Sequence, residues 1–235
     1  MRTRSLWMHP AVHPIAILLC LAPAAVLAWK WHTDQLGFNR IEYIARYTGD
    51  WTIRLLFATL TITPLRRIPG LNPIIRFRRT LGLAAFFYGC LHVFHYLWLD
   101  KLWDWNEMIE DLTIRRFFIA GAVAFLLMVP LALTSTAGAI RRLGGKRWQL
   151  LHRLIYLSAA AAVLHYHWQG KAYLLDPLFY AGALALLLGY RAAVWLHRRF
   201  AKAKTRSPIA AGSSGPIAGP RSQSHRTPPA GRPLA

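Results

Sequence analysis

Five histidines lie inside apolar runs of this chain, and imidazole is the side chain best suited to bind a metal or move a proton near neutral pH. They are His92 and His95 in RFRRTLGLAAFFYGCLHVFHY (76–96), and His152, His165 and His167 in LHRLIYLSAAAAVLHYH (151–167). An ionisable group in hydrocarbon is costly, so each of these residues needs a functional or a packing reason. A lone imidazole can simply bond a carbonyl on a neighbouring helix. Two segments that each carry one at matching depth point instead to a cofactor held between facing helices. Cys20 and Cys90 stand singly in apolar runs, with no CxxC or Cys/His cluster, which argues against zinc and iron–sulfur sites. Bis-imidazole ligation of a b-type haem fits this ligand set best.

The elements that must position these residues are transmembrane helices. The 235 residues are 55% hydrophobic and include 10 Trp, too apolar for an ordinary soluble domain. Six apolar segments, roughly 11–29, 44–63, 80–99, 117–135, 149–169 and 173–195, each approach the length needed to cross a bilayer as a helix. The first follows Arg2 and Arg4 and resembles a signal peptide, but five more spans follow, so it reads as a retained helix. The formal charge of +20 collects between the segments: loop 64–79 holds Arg66, Arg67, Arg76, Arg78 and Arg79, and loop 136–148 holds Arg141, Arg142, Lys146 and Arg147. The sixth segment ends in HRRFAKAKTR. That distribution obeys the positive-inside rule and excludes a nucleic-acid groove. The expected fold is all-α: an integral membrane bundle of six transmembrane helices over 1–206, both termini cytoplasmic, with a disordered tail over 207–235 rich in Pro, Gly, Ser and Ala.

Depth along the helices selects the ligand pair. The third and fifth segments both run from inside to outside. At 1.5 Å per residue His92 lies about 20 Å in, His165 about 25 Å and His152 about 6 Å. His92 with His165 is therefore the expected axial pair. Ala85 and Gly89 precede His92 on one stripe, and Ser158, Ala161 and Ala162 precede His165, small residues that leave room for a macrocycle. His95 is the runner-up ligand or a supporting group, and His167 points away from His165. The position 13 residues before His92, where a second haem would want its ligand opposite His152, is Arg79. His152, Arg78 and Arg79 are thus expected to form a polar inner pocket for an anionic group, a flavin phosphate or a reduced quinone. His9, His13, His32 and His197 near segment ends, and His225 in the tail, carry no such expectation.

Three stretches, TGDWTIRLLFATLTITPLR (48–66), RFRRTLGLAAFFYGCLHVFHY (76–96) and LTSTAGAIRRLGGKRWQLLHRLIYLSAAAAVLHYHW (133–168), resemble the MsrQ (YedZ) family, haem-binding membrane subunits of the bacterial periplasmic methionine sulfoxide reductase system. The likeness spans roughly 40–195 and departs from the family by an extra glycine in LGGKRW. It implies a ferric-reductase-like transmembrane domain in the bacterial inner membrane. It implies haem b at His92 and His165, with His152 matching a further family histidine. It also implies FMN or a quinone as cofactor, and a periplasmic molybdopterin-containing catalytic subunit as acceptor, with quinol or a flavin reductase as donor. NADPH oxidases share the domain but carry two histidines on the third helix, where this chain has Arg79.

The expected function is an electron conduit rather than a catalyst in its own right, since no acid–base or nucleophilic constellation is visible. A ferric or cupric metalloreductase shares the haem and differs in its acceptor. A proton-coupled transporter would be expected to show repeats and broken helices, and neither is visible in the sequence; a haem-free assembly factor leaves the matched histidine depths unexplained. The acidic stretch DKLWDWNEMIED (100–111) reads first as a solvated outer loop and second as a docking face for the partner.

Overall fold

A computed structural model of the chain describes residues 9–169 and 175–206. The elements in order are α1 (Val12–His32), α2 (Arg40–Leu65), a 3-10 turn (Asn72–Arg76), α3 (Phe77–His95) continued by a π-helical turn (Tyr96–Asp100), α4 (Trp105–Ile114), α5 (Arg116–Leu133), α6 (Ala137–Leu143), α7 (Gly145–Leu151), α8 (Leu154–Gln169) and α9 (Leu175–Arg206). No strand occurs among the described residues. The tail expected from Ser207 lies outside them. The described residues up to Ala192 form one compact unit, and those from Ala193 form another, the last stretch of α9, where the Arg199 guanidinium lies 5.2 Å from the centre of the Trp195 ring.

A helix stands at each of the six expected apolar segments. Four stretches are long and apolar enough to cross a membrane: Val12–His32, Asn72–Asp100, Arg116–Leu133 and Pro177–Ala201. The other two differ for identifiable reasons. α2 carries charge, arranged as the i,i+4 pairs Arg46–Glu42 and Arg54–Asp50. α8 has only 16 residues, because the fifth segment is broken: α7 ends at Leu151, His152 caps it, and α8 starts at Leu154. The expected continuous helix from 149 is thus two helices with His152 in the joint. A second joint falls within LGGKRW. Gly144 links α6 to α7 at φ +74°, a backbone conformation that a side chain disfavours.

Two helix pairs dominate the packing, α2 with α3 and α5 with α8. Leu56, Leu60, Ala85, Tyr88, Ser158 and Ala159 form their fully buried centre. The Ser158 hydroxyl donates to the Ala124 carbonyl at 2.9 Å, tying α8 to α5 without an unpaired polar atom. Leu18, Leu19, Leu126 and Leu186 are exposed, as expected of side chains that face lipid. α1 docks through tyrosines. The Tyr88 hydroxyl accepts from the Ala24 amide and donates to the Cys20 carbonyl, each at 2.9 Å, so it stands between two groups that would otherwise close one helical turn beside Pro23. Tyr47 donates to the Pro23 carbonyl at 3.0 Å.

The acidic stretch 100–111 is not an open loop. Leu102 and Trp103 take left-handed conformations after the π-helical turn and reverse the chain into α4, whose N-cap Asp104 accepts from the Asn106 and Glu107 amides. Buried Asp111 receives Lys101 at 2.8 Å, Arg115 at 3.2 Å and the Tyr96 hydroxyl at 3.1 Å, and Lys101 also reaches Glu107 at 3.3 Å. Burial alone would push the Asp111 carboxyl up. Lys101, Tyr96 and Arg115 outweigh it and hold the group below its ordinary 3.8. The hydrogen bond to Asp111 in turn raises Lys101 above its ordinary 10.5.

Candidate functional site

The structure brings His92 of α3 and His165 of α8 together. Their ring centres are 6.1 Å apart and their planes nearly perpendicular, at 81°. Each ring is fixed by the helix that pairs with its own. His92 Nδ1 donates to the Ala45 carbonyl of α2 at 3.0 Å, with the Thr48 hydroxyl 3.3 Å away. His165 Nδ1 donates to the Phe117 carbonyl of α5 at 2.7 Å. A carbonyl can only accept, so the proton sits on Nδ1 in both rings and Nε2 carries the lone pair. That tautomer, with the far nitrogen anchored by a backbone oxygen, is the usual preparation of a metal-binding imidazole.

Two glycines make the anchoring possible. Each stands four residues after the carbonyl that takes the imidazole: Gly49 after Ala45, Gly121 after Phe117. In a helix those positions share a face, so a side chain at the second would block the approach to the first. A methyl at Gly121 would lie 2.7 Å from His165 Nδ1, and one at Gly49 would lie 3.3 Å from His92 Cε1. Sequence reading passed over both. Their signal was the repeated spacing between the glycine and the residue opposite each histidine, legible only once the helix partners are known.

Of the small residues expected to line a macrocycle, Ala161 and Ala162 are half-buried, and Gly89, Ala85 and Ser158 pack helix against helix. Gly89 faces Thr52 of α2 and Phe125 of α5, and Ala85, Ser158 and Ala159 are buried in the packed centre. They let the helices approach closely.

The remaining expected residues separate. His95 is buried, with its Nε2 lacking a hydrogen-bond partner. His167 is exposed. His152 lies away from the pair, stacked on Trp148 at 4.0 Å with Nε2 3.1 Å from the Thr134 hydroxyl. Arg78 is half-buried and within electrostatic reach of His152, whereas Arg79 is exposed. The two arginines of the expected inner pocket therefore do not act alike.

As a donor set the pair fits a group that brings its own equatorial ligands. No cluster of three or more His, Cys, Asp or Glu able to cage a bare ion occurs among the described residues. Two neutral imidazoles from facing helices would suit a haem, which brings its remaining ligands itself.

Comparison with known proteins agrees with the architecture. Residues 48–163 match the family of the ferric reductase like transmembrane component. A protein of Azospira oryzae is 51% identical over 77% of this chain and 78% of its own length. One of Herminiimonas arsenicoxydans is 50% identical over 75% and 82%, and one of Polaromonas naphthalenivorans is 44% identical over 88% and 94%. Each is named the heme-binding subunit MsrQ of a protein-methionine-sulfoxide reductase. The chain belongs to the MsrQ family. The ferric-reductase-like match runs from Thr48 in α2 to Val163 in α8, so it takes in Gly49, His92 and Gly121 and stops two residues short of His165. The MsrQ relatives cover most of the chain, which is why they and not the shorter match settle its family.

Proposed function

We propose that this chain is the haem-carrying electron-transfer subunit of a methionine sulfoxide reductase system in the bacterial inner membrane. The observation that carries the reading is the opposed pair His92 and His165, each with Nδ1 anchored to a carbonyl and Nε2 free. A b-type haem held there would supply reversible one-electron chemistry. The chain's own contribution is to present two neutral nitrogens at fixed orientation, to exclude water with the packed α2–α3 and α5–α8 pairs, and to hold the site within electron-transfer reach of both membrane faces.

The same reading makes α1, α2, α3, α5, α8 and α9 six spans with both termini cytoplasmic, which agrees with the basic loops. His152, Arg78 and exposed Arg79 then lie at the inner end, where quinol or reduced FMN would deliver electrons. α4 lies at the outer end, where a periplasmic molybdopterin-containing catalytic subunit would collect them. The relatives' names support a reductase partner; the basic inner end supports an anionic donor.

Reconstitution tests this directly. Purified chain in lipid nanodiscs should pass electrons from reduced FMN or a quinol to the molybdopterin subunit faster than to ferric chelates. Reduction of ferric chelates with no transfer to that subunit would instead identify a metalloreductase.

A further inference from the structure

Arg191 is a half-buried cation with no part in the histidine-centred reading. It lies in α9, within a membrane-crossing stretch, yet its Nε and Nη1 are buried without a hydrogen-bond partner. Only Nη2 is engaged, donating to the Leu60 carbonyl of α2 at 2.8 Å. The guanidinium lies 4.7 Å from the centre of the Tyr156 ring of α8, which covers one face. Arg78 of α3 is within electrostatic reach of both Arg191 and His152. Four elements thus converge on two arginines, and none of the ion pairs among the described residues involves either.

Such an arrangement is costly as it stands. Two guanidinium groups repel each other, and buried N–H donors without acceptors forfeit their hydration. An anion with several acceptor oxygens removes both penalties, and a phosphate monoester, with roughly −1.5 to −2 charge at neutral pH, matches two forked cations best. With Nη2 held by Leu60, Arg191 still presents its Nε–H and Nη1–H donors in a fixed planar arrangement that a lysine cannot copy. We propose that Arg191, with Arg78 and under the Tyr156 ring, binds a phosphate group at the basic end of the bundle. Two sources can supply such a phosphate: the monoester of FMN and, with a single negative charge, the diester of an anionic phospholipid headgroup. The choice of FMN rests on the donor reading above; the site itself does not.

The test uses the full chain in phosphatidylcholine nanodiscs. FMN and riboflavin, which lacks the phosphate, are titrated by flavin fluorescence into wild type, Arg191→Met, Arg191→Lys and Arg78→Gln. Lipid phosphorus retained after detergent delipidation is measured on the same proteins. The haem spectrum serves as the folding control. Wild type should prefer FMN over riboflavin by about tenfold or more, and Arg191→Met should abolish the preference with haem content unchanged. Arg191→Lys, which keeps the charge but not the fork, should retain part of it, and is read in place of Arg191→Met if that variant loses haem. If FMN shows no preference but wild type retains anionic phospholipid that Arg191→Met releases, the phosphate site stands with lipid as its source. If neither FMN preference nor lipid retention changes on substitution of Arg191, the site does not exist. A wild type without haem bands would overturn the conduit reading while leaving these binding results interpretable.

Discussion

Gly121 and Gly49 set how the imidazoles of His165 and His92 can stand. At Gly121 an added methyl would sit 2.7 Å from an Nδ1 that is already bonded to Phe117, so the ring must turn off its carbonyl. Loss of such an anchoring contact typically weakens metal binding by roughly 10- to 100-fold. Gly121→Ala should therefore lower haem content per protein at limiting haem, read by the pyridine haemochrome assay. Gly49→Ala, with a 3.3 Å contact to His92, should do so less. Equal haem content in both variants and wild type would show that the carbonyl anchors are dispensable. At this scale the sequence revealed the histidines but not their supports. His92 and His165 announce themselves by chemistry and by depth. A glycine in an apolar helix has too many other reasons to stand out.

Tyr88 and Asp111 act on whole elements. Removing the Tyr88 hydroxyl leaves the Ala24 amide and the Cys20 carbonyl to find each other or remain unpaired in a site that is fully buried. Tyr88→Phe should destabilise the docking of α1 by about 1–3 kcal/mol, seen as earlier loss of protection of α1 in hydrogen exchange. Around α4 the sign of the pH effect follows from Asp111. Its carboxyl is held below the ordinary 3.8, so the stabilisation from Lys101 and Arg115 is present at neutral pH and is lost as the pH falls through and below that value. Proteolysis within Trp105–Ile114 should accelerate on acidification, and Asp111→Asn should show the acid-state rate already at neutral pH. A pH-independent rate would contradict the network. The six apolar segments were legible because hydrophobic length is a strong signal. α4 was not, because Asp100, Asp104, Glu107, Glu110 and Asp111 read as solvated, while their pairing depends on Lys101, Tyr96 and a two-residue left-handed turn that no local pattern marks. The α7–α8 break was hidden for a similar reason: LHRL contains neither Gly nor Pro.

For the molecule as a whole, the proposed topology places α4 and loop 136–148 on opposite sides of the membrane. Both Glu110 and Arg141 are exposed. A membrane-impermeant thiol reagent should label Glu110→Cys in intact spheroplasts and Arg141→Cys only after permeabilisation; the reverse pattern would invert the bundle and exchange its donor and acceptor ends. All else depends on the haem pair, and the reduced-minus-oxidised absorption spectrum of the purified chain measures it most directly. His92 and His165 as axial ligands require b-type bands in wild type, their loss in His92→Ala and in His165→Ala, and their persistence in His152→Ala. Bands absent from wild type, or surviving in both His92→Ala and His165→Ala, would contradict the pairing.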